Sequence, residues 1–143
     1  MKCDMTQLRE ALEALEASWD HKTSYMGVSK DGNSSLGQCY STSRVVQIFF
    51  PETEIVEGQV WNGTESEKHF WNILQSGGSE YHIDLTWQQF PKKSKVTDWK
   101  IRDRRSLGDS KETLLRIEIL RNRVNEYLAK AEAGIEDPNR KEP

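Results

Sequence analysis

Cysteine and histidine are scarce: two Cys and three His in 143 residues. Two thiols, Cys3 and Cys39, cannot build a disulfide framework, so free thiols and a cytoplasmic setting are expected. No stretch approaches the roughly 18 consecutive apolar residues of a membrane span, and no apolar leader-like segment opens the chain. A membrane partner is therefore not expected. Charge of one sign is also lacking. With 20 basic against 23 acidic residues and a net charge of -3, nothing draws the chain electrostatically to nucleic acid or an anionic membrane. The basic stretches Lys92-Lys93-Ser94-Lys95 and Arg102-Asp103-Arg104-Arg105 are read as solvated loops. A phosphate-binding glycine loop is missing too, because Ser76-Gly77-Gly78 joins strand to strand rather than strand to helix.

What is present suffices for one α+β domain over residues 1–134, with a charged, Pro-containing, disordered tail expected over 135–143. Leu8, Leu12, Leu15 and Trp19 form one apolar stripe at helical spacing, and Thr6 is an acceptable N-cap. Asp20 to Gly37 is polar and Gly/Ser-rich, with a turn marked at Asp31-Gly32-Asn33. Cys39 to Phe50 is apolar nearly all round and stops at Pro51. It reads as a buried helix with Cys39 in its first turn; a buried strand is the competing reading. Strand-like segments follow at Glu54–Trp61, Lys68–Leu74 and Glu80–Thr86, and Asn62-Gly63-Thr64, although it matches a glycosylation sequon, is more simply a turn. Asp109 with Glu112 resembles a capping box. It precedes a stripe of Leu114, Ile117, Leu120, Val124, Tyr127/Leu128 and Ala131.

A cysteine at a helix start is favoured as thiolate by unpaired N–H groups and the helix dipole. Its own N–H can serve an oxyanion hole. The hairpin supplies candidate partners. If Ser76-Gly77 is a two-residue loop, Gln75 pairs with Gly78, and counting outward sets His69 opposite Asp84. Opposed residues share a face with Cβ atoms about 5 Å apart, so Asp84 can orient His69 and stabilise its imidazolium. The same count sets Trp71 opposite His82, and His82 is the rival base. Zinc binding by Cys39, His69, His82 and Asp84 is a weaker alternative, because their spacing matches no ordinary zinc module. No metal and no cofactor are expected.

Gly37-Gln38-Cys39, His69-Phe70-Trp71-Asn72 and Ile83-Asp84-Leu85-Thr86-Trp87-Gln88-Gln89-Phe90 together resemble the YunG-like family of uncharacterised bacterial proteins, from about Leu8 to Leu128. More distantly, the order is similar to transglutaminase-like and papain-like cysteine hydrolases. These share a Gly-x-Cys at a helix start, a His-x-Trp strand and an Asp-x-Thr strand. The resemblance implies a papain/transglutaminase-like fold, its central Cys39 helix packed on a small antiparallel sheet between N- and C-terminal helices. It also implies a Cys39–His69–Asp84 triad, with Asn33 or Gln38 as the amide that binds an oxyanion. Trp71 and His82 are further substrate-binding candidates.

The expected function is thiol-dependent acyl transfer on an amide or isopeptide, the substrate being a peptide, a protein or a small amide. The competing expectation is a catalytically inactive binding or regulatory domain of the same fold. Substrate and oligomeric state are not legible from the residues.

Overall fold

Asp4 starts the first helix: its carboxylate accepts from the Gln7 amide at 2.8 Å, satisfying an otherwise orphaned N–H. Helix α1 therefore runs Met5–Ser18, two residues ahead of a start capped by Thr6. The computed structural model describes residues 1–24 and 37–134. The turn expected at Asp31-Gly32-Asn33 and the tail over 135–143 lie outside the described residues. After α1 come helix α2 (Cys39–Phe49), strands β1 (Glu54–Trp61), β2 (Ser66–Ser76), β3 (Ser79–Ile83) and β4 (Lys95–Arg102), and helix α3 (Lys111–Glu132). The chain is thus α+β, with three helices and one antiparallel sheet of order β3-β2-β1-β4 among the described residues.

Cys39 to Phe49 is helical rather than extended, which removes the strand alternative. Its β-branched residues are tolerated because Val45, Val46 and the adjoining Phe50 are buried against α1 and α3. Ala11, Ala14, Leu15 and Trp19 supply one wall and Ile117, Leu120 and Val124 the other. Each large apolar side chain so removed from water contributes about 1.5–3 kcal/mol. The polar run after Cys39 is also accommodated. Thr42 Oγ1 accepts from the Trp19 indole at 2.9 Å, and Ser43 Oγ donates to the Cys39 carbonyl at 2.7 Å. On the sheet, Asn72 donates across to the Ser43 carbonyl at 3.0 Å, giving this buried amide a partner on α2. Of the stripe expected on α3, Ile117, Leu120 and Val124 are buried, whereas Leu114 and Tyr127 are exposed.

The β2–β3 hairpin departs from the expected count. Its loop is Gly77-Gly78, not Ser76-Gly77, so Ser76 pairs with Ser79 and Ile73 with His82. Both central residues have positive φ, 58° and 83°, as the hairpin turn that matches strand twist requires. Glycine adopts this far more readily than serine. Each residue of β2 consequently meets a partner two positions farther from the turn than the Ser76-Gly77 loop would give, as in Gln75↔Glu80 rather than Gln75↔Gly78. An even shift preserves faces. His69, Trp71, Ile73 and His82 share one side, and Phe70, Asn72, Leu74 and Ile83 the other, which packs on α2.

Strand β4 was not expected. The basic residues Lys95 and Arg102 lie at its ends rather than in loops. Asn62 does form the expected turn, accepting from the amides of Thr64 and Glu65 at 2.9 Å each. Ser110, not Asp109, caps α3. Asp109 is engaged elsewhere, accepting from the Tyr40 hydroxyl and from Arg44 Nε at 2.9 Å, and so ties α2 to the approach of α3.

Candidate active site

Gly37 turns the chain into α2 with φ 73°, a left-handed conformation that glycine tolerates. Cys39 follows as the first helical residue, half-buried. The N-cap position, Gln38, makes no side-chain capping bond. The opening amides of α2, including that of Cys39 itself, have no intrahelical acceptor. Strand β3 ends at Ile83, opposite Asn72. The part of β2 carrying His69 therefore lies past the last β3 pair, where the chain after β3 wraps it instead.

That wrapping segment supplies most of the site. Asp84 Oδ2 lies 2.7 Å from His69 Nε2, while Asp84 Oδ1 accepts from the Thr86 amide at 3.2 Å and its hydroxyl at 3.4 Å. The carboxylate is thus fixed by its own following turn. A short 3₁₀ turn, Trp87–Gln89, brings Trp87 and Phe90 edge-on to the His69 ring, with centroids at 6.2 Å and 4.7 Å. Trp71 stacks on it at 5.5 Å. His69 is 0% exposed.

Burial is the largest single influence on His69 and acts to lower its pKa. The Asp84 hydrogen bond, a hydrogen bond with Cys39 and the charges of both together outweigh it, lifting the imidazole to about 9. Asp84, at 2.7 Å, and Cys39 thus both act on the His69 ring. Next to the thiol, the Tyr40 ring packs edge-on against Phe70 at 4.7 Å. Its phenol is pushed up by burial, by its bond to Asp109 and by that residue's charge.

A cleft of about 800 Å³ opens at Cys39, between Gly37, Lys68, Arg102, Asp109 and Arg116. Asp84 also borders a second, mainly apolar cleft of about 610 Å³, between Leu8 and Leu12 of α1 and Tyr81 to Leu85.

The remaining candidates separate. Trp71 lies on the His69 face but gives its indole N–H to His82 Nδ1 at 2.8 Å. The two meet diagonally rather than in direct opposition. His82 is exposed, packs edge-on to Trp99 at 5.0 Å, and spends Nδ1 as an acceptor. Gln38 is turned away from the cleft, fully buried: it accepts from Thr23 Oγ1 at 2.7 Å and donates to the Asp20 carbonyl at 3.0 Å. Its amide anchors the Asp20–Thr23 turn and is not presented to a ligand. Asn33 lies outside the described residues. Among the described residues no set of three or more His, Cys, Asp or Glu side chains is arranged to hold a metal ion.

Sequence reasoning passed over Gln89, whose amide reaches His69 and lines the Cys39 cleft. Its only signal was its place five residues after Asp84, within the Ile83–Phe90 motif.

The YunG protein family model matches residues 7–129. The chain belongs to the YunG family. No curated protein and no solved structure matches it. Within this YunG-family chain the matched span contains Cys39, His69, Asp84 and Gln89, so the whole candidate site lies inside the family's own region. No helix among the described residues is long and apolar enough to cross a membrane.

Proposed function

We propose that this protein is a thiol-dependent acyl-transfer enzyme of papain/transglutaminase-like architecture, acting on an amide or isopeptide. The observation that carries the reading is the buried His69 ring, held at 2.7 Å by Asp84 and hydrogen-bonded with Cys39 at the head of α2. Three residue types drawn from a helix, a strand and the loop after a hairpin meet in the order nucleophile, base and orienter. Two free cysteines suit a reducing, cytoplasmic setting.

In this reading the Cys39 sulfur attacks the amide carbonyl, forming a C–S bond. The opening amides of α2 receive the oxyanion. His69, carrying the thiol proton, passes it to the leaving nitrogen as the C–N bond breaks. Water or an acceptor amine then attacks the thioester, giving its proton to His69, and the returning thiol closes the cycle. Asp84 holds the ring and stabilises its positive charge throughout.

The test is acyl transfer from p-nitrophenyl acetate, followed by intact-mass and peptide analysis. A single acetyl group on Cys39 that turns over is expected. Cys39→Ala should abolish it, and His69→Ala should slow it by about 10²-fold or more. Equal acetylation of Cys3 and Cys39, or turnover unchanged in Cys39→Ala, would leave the binding-domain reading in its place.

A further inference from the structure

The Gln89 amide is oriented from both ends. Its oxygen accepts from the Gly37 N–H at 3.4 Å, and its nitrogen donates to Thr86 Oγ1 at 3.3 Å. That same nitrogen lies 3.3 Å from His69 Nδ1, the ring nitrogen left over once Nε2 has engaged Asp84. An amide N–H aimed at Nδ1 finds an acceptor only while Nδ1 carries a lone pair. When Nδ1 is protonated, two donors face each other and the bond is lost.

We infer that Gln89 is a positioning residue that lowers the proton affinity of His69, its amide N–H favouring the neutral imidazole whose Nδ1 lone pair it meets. It acts as the counterweight to Asp84. The carboxylate stabilises the imidazolium formed during transfer, and the amide stabilises the neutral base that must exist before it. Without that counterweight the imidazolium would persist to still higher pH. The inference rests on the acyl-transfer reading for its purpose, but not for its physics.

The groups facing His69 are few. Asp84 approaches from the chain after β3 and Cys39 from α2. Trp71, Trp87 and Phe90 wall the ring without charge, and Gly58 lies across from it on β1. Glu67, two positions earlier on the same face of β2, is exposed, and His82 lies beyond Trp71.

The experiment is an NMR titration of the His69 ring in the full chain, with the three histidines assigned by single alanine variants. Gln89→Met keeps the volume and dryness of the site but removes the donor, so the His69 midpoint should rise by about half a pH unit or more. Gln89→Glu replaces the donor with an acceptor for Nδ1–H and should raise it further. A purely packing role would leave the Met variant unmoved. An unchanged or lowered midpoint in both variants overturns the inference. Iodoacetamide labelling of the same samples distinguishes the two levels. If Cys39 labelling depends on His69 but the Gln89 variants leave the midpoint fixed, only the Gln89 role falls. If His69→Ala leaves Cys39 labelling unchanged, the acyl-transfer reading falls as well.

Discussion

Replacing Asp84 with alanine is expected to lower the His69 pKa by about 1–3 units, from its value near 9 toward or below the ordinary value of 6.5. The ring is fully buried, and burial is the largest influence on it, acting against the charged form. With the carboxylate gone, burial is opposed only by Cys39. The same shift is a statement about stability. A histidine whose folded pKa is raised adds stability that is complete below the unfolded value near 6.5. That stability is lost as pH climbs through the folded value near 9. The wild-type chain should therefore lose up to roughly 3 kcal/mol between pH 6 and pH 9.5 from this group. Asp84→Ala should flatten that segment of the curve. Urea denaturation at the two pH values, with the His69 NMR titration, checks both statements. A stability that rises over this range through the same group, or an Asp84→Ala chain with an unmoved histidine, would contradict them.

Gly58→Ala is expected to destabilise the protein by about 3 kcal/mol, although it adds one methyl group. A Cβ built on Gly58 lies 2.3 Å from Trp71 Cη2, 2.7 Å from Trp71 Cζ3 and 2.8 Å from the Asp98 carbonyl oxygen. The indole crosses β1 directly over this residue, and Asp98 belongs to the next strand on the other side. Neither neighbour can yield cheaply. Trp71 is pinned by its bond to His82 and stacks on His69, and the Asp98 carbonyl is backbone. The missing side chain at Gly58 thus makes room for the ring that walls the candidate base. A shift in the urea midpoint measures the cost. Trp71→Leu in the same chain should remove much of it, so the two substitutions couple rather than add. A Gly58→Ala chain as stable as the wild type would show that Trp71 does not lie where the structure has it.

The helices were legible because their apolar residues recur at helical spacing, and Cys39 was legible as a helix start because Gly37 precedes it and Pro51 closes the run. The pairing of His69 with Asp84 was reached through a register that is off by two residues. The bond forms nonetheless because an even slip keeps both on one face, and because Asp84 lies just past the end of β3, free to turn toward the ring. Two adjacent glycines decided that register, and only the positive φ at both, not the pattern of strand residues, distinguishes the loops. Strand β4 was illegible for another reason. It is an edge strand with Lys95, Asp98 and Lys100 all exposed, so it carries no clean alternation of apolar and polar residues. Asp109 and Ser110 compete for one cap, and Asp109 is taken instead by Tyr40 and Arg44, partners remote in sequence. Gln38 and Gln89 show the same limit from opposite sides. The resemblance made Gln38 a candidate beside Asn33, but the direction of its side chain at the helix start is set by the Asp20–Thr23 turn it meets.

The most direct measurement is the rate of iodoacetamide alkylation of Cys39 from pH 5.5 to 9.5, read by peptide mass spectrometry beside Cys3 and added glutathione. The Cys3 thiol is pushed up by burial and by the charges of Glu52 and Asp4, and glutathione supplies the ordinary thiol curve. Expected near pH 6.5 is a Cys39 rate about tenfold or more above glutathione, falling to the glutathione curve in His69→Ala. A Cys39 that follows the glutathione curve in the wild type, unchanged by His69→Ala, would contradict an activated thiol at this site.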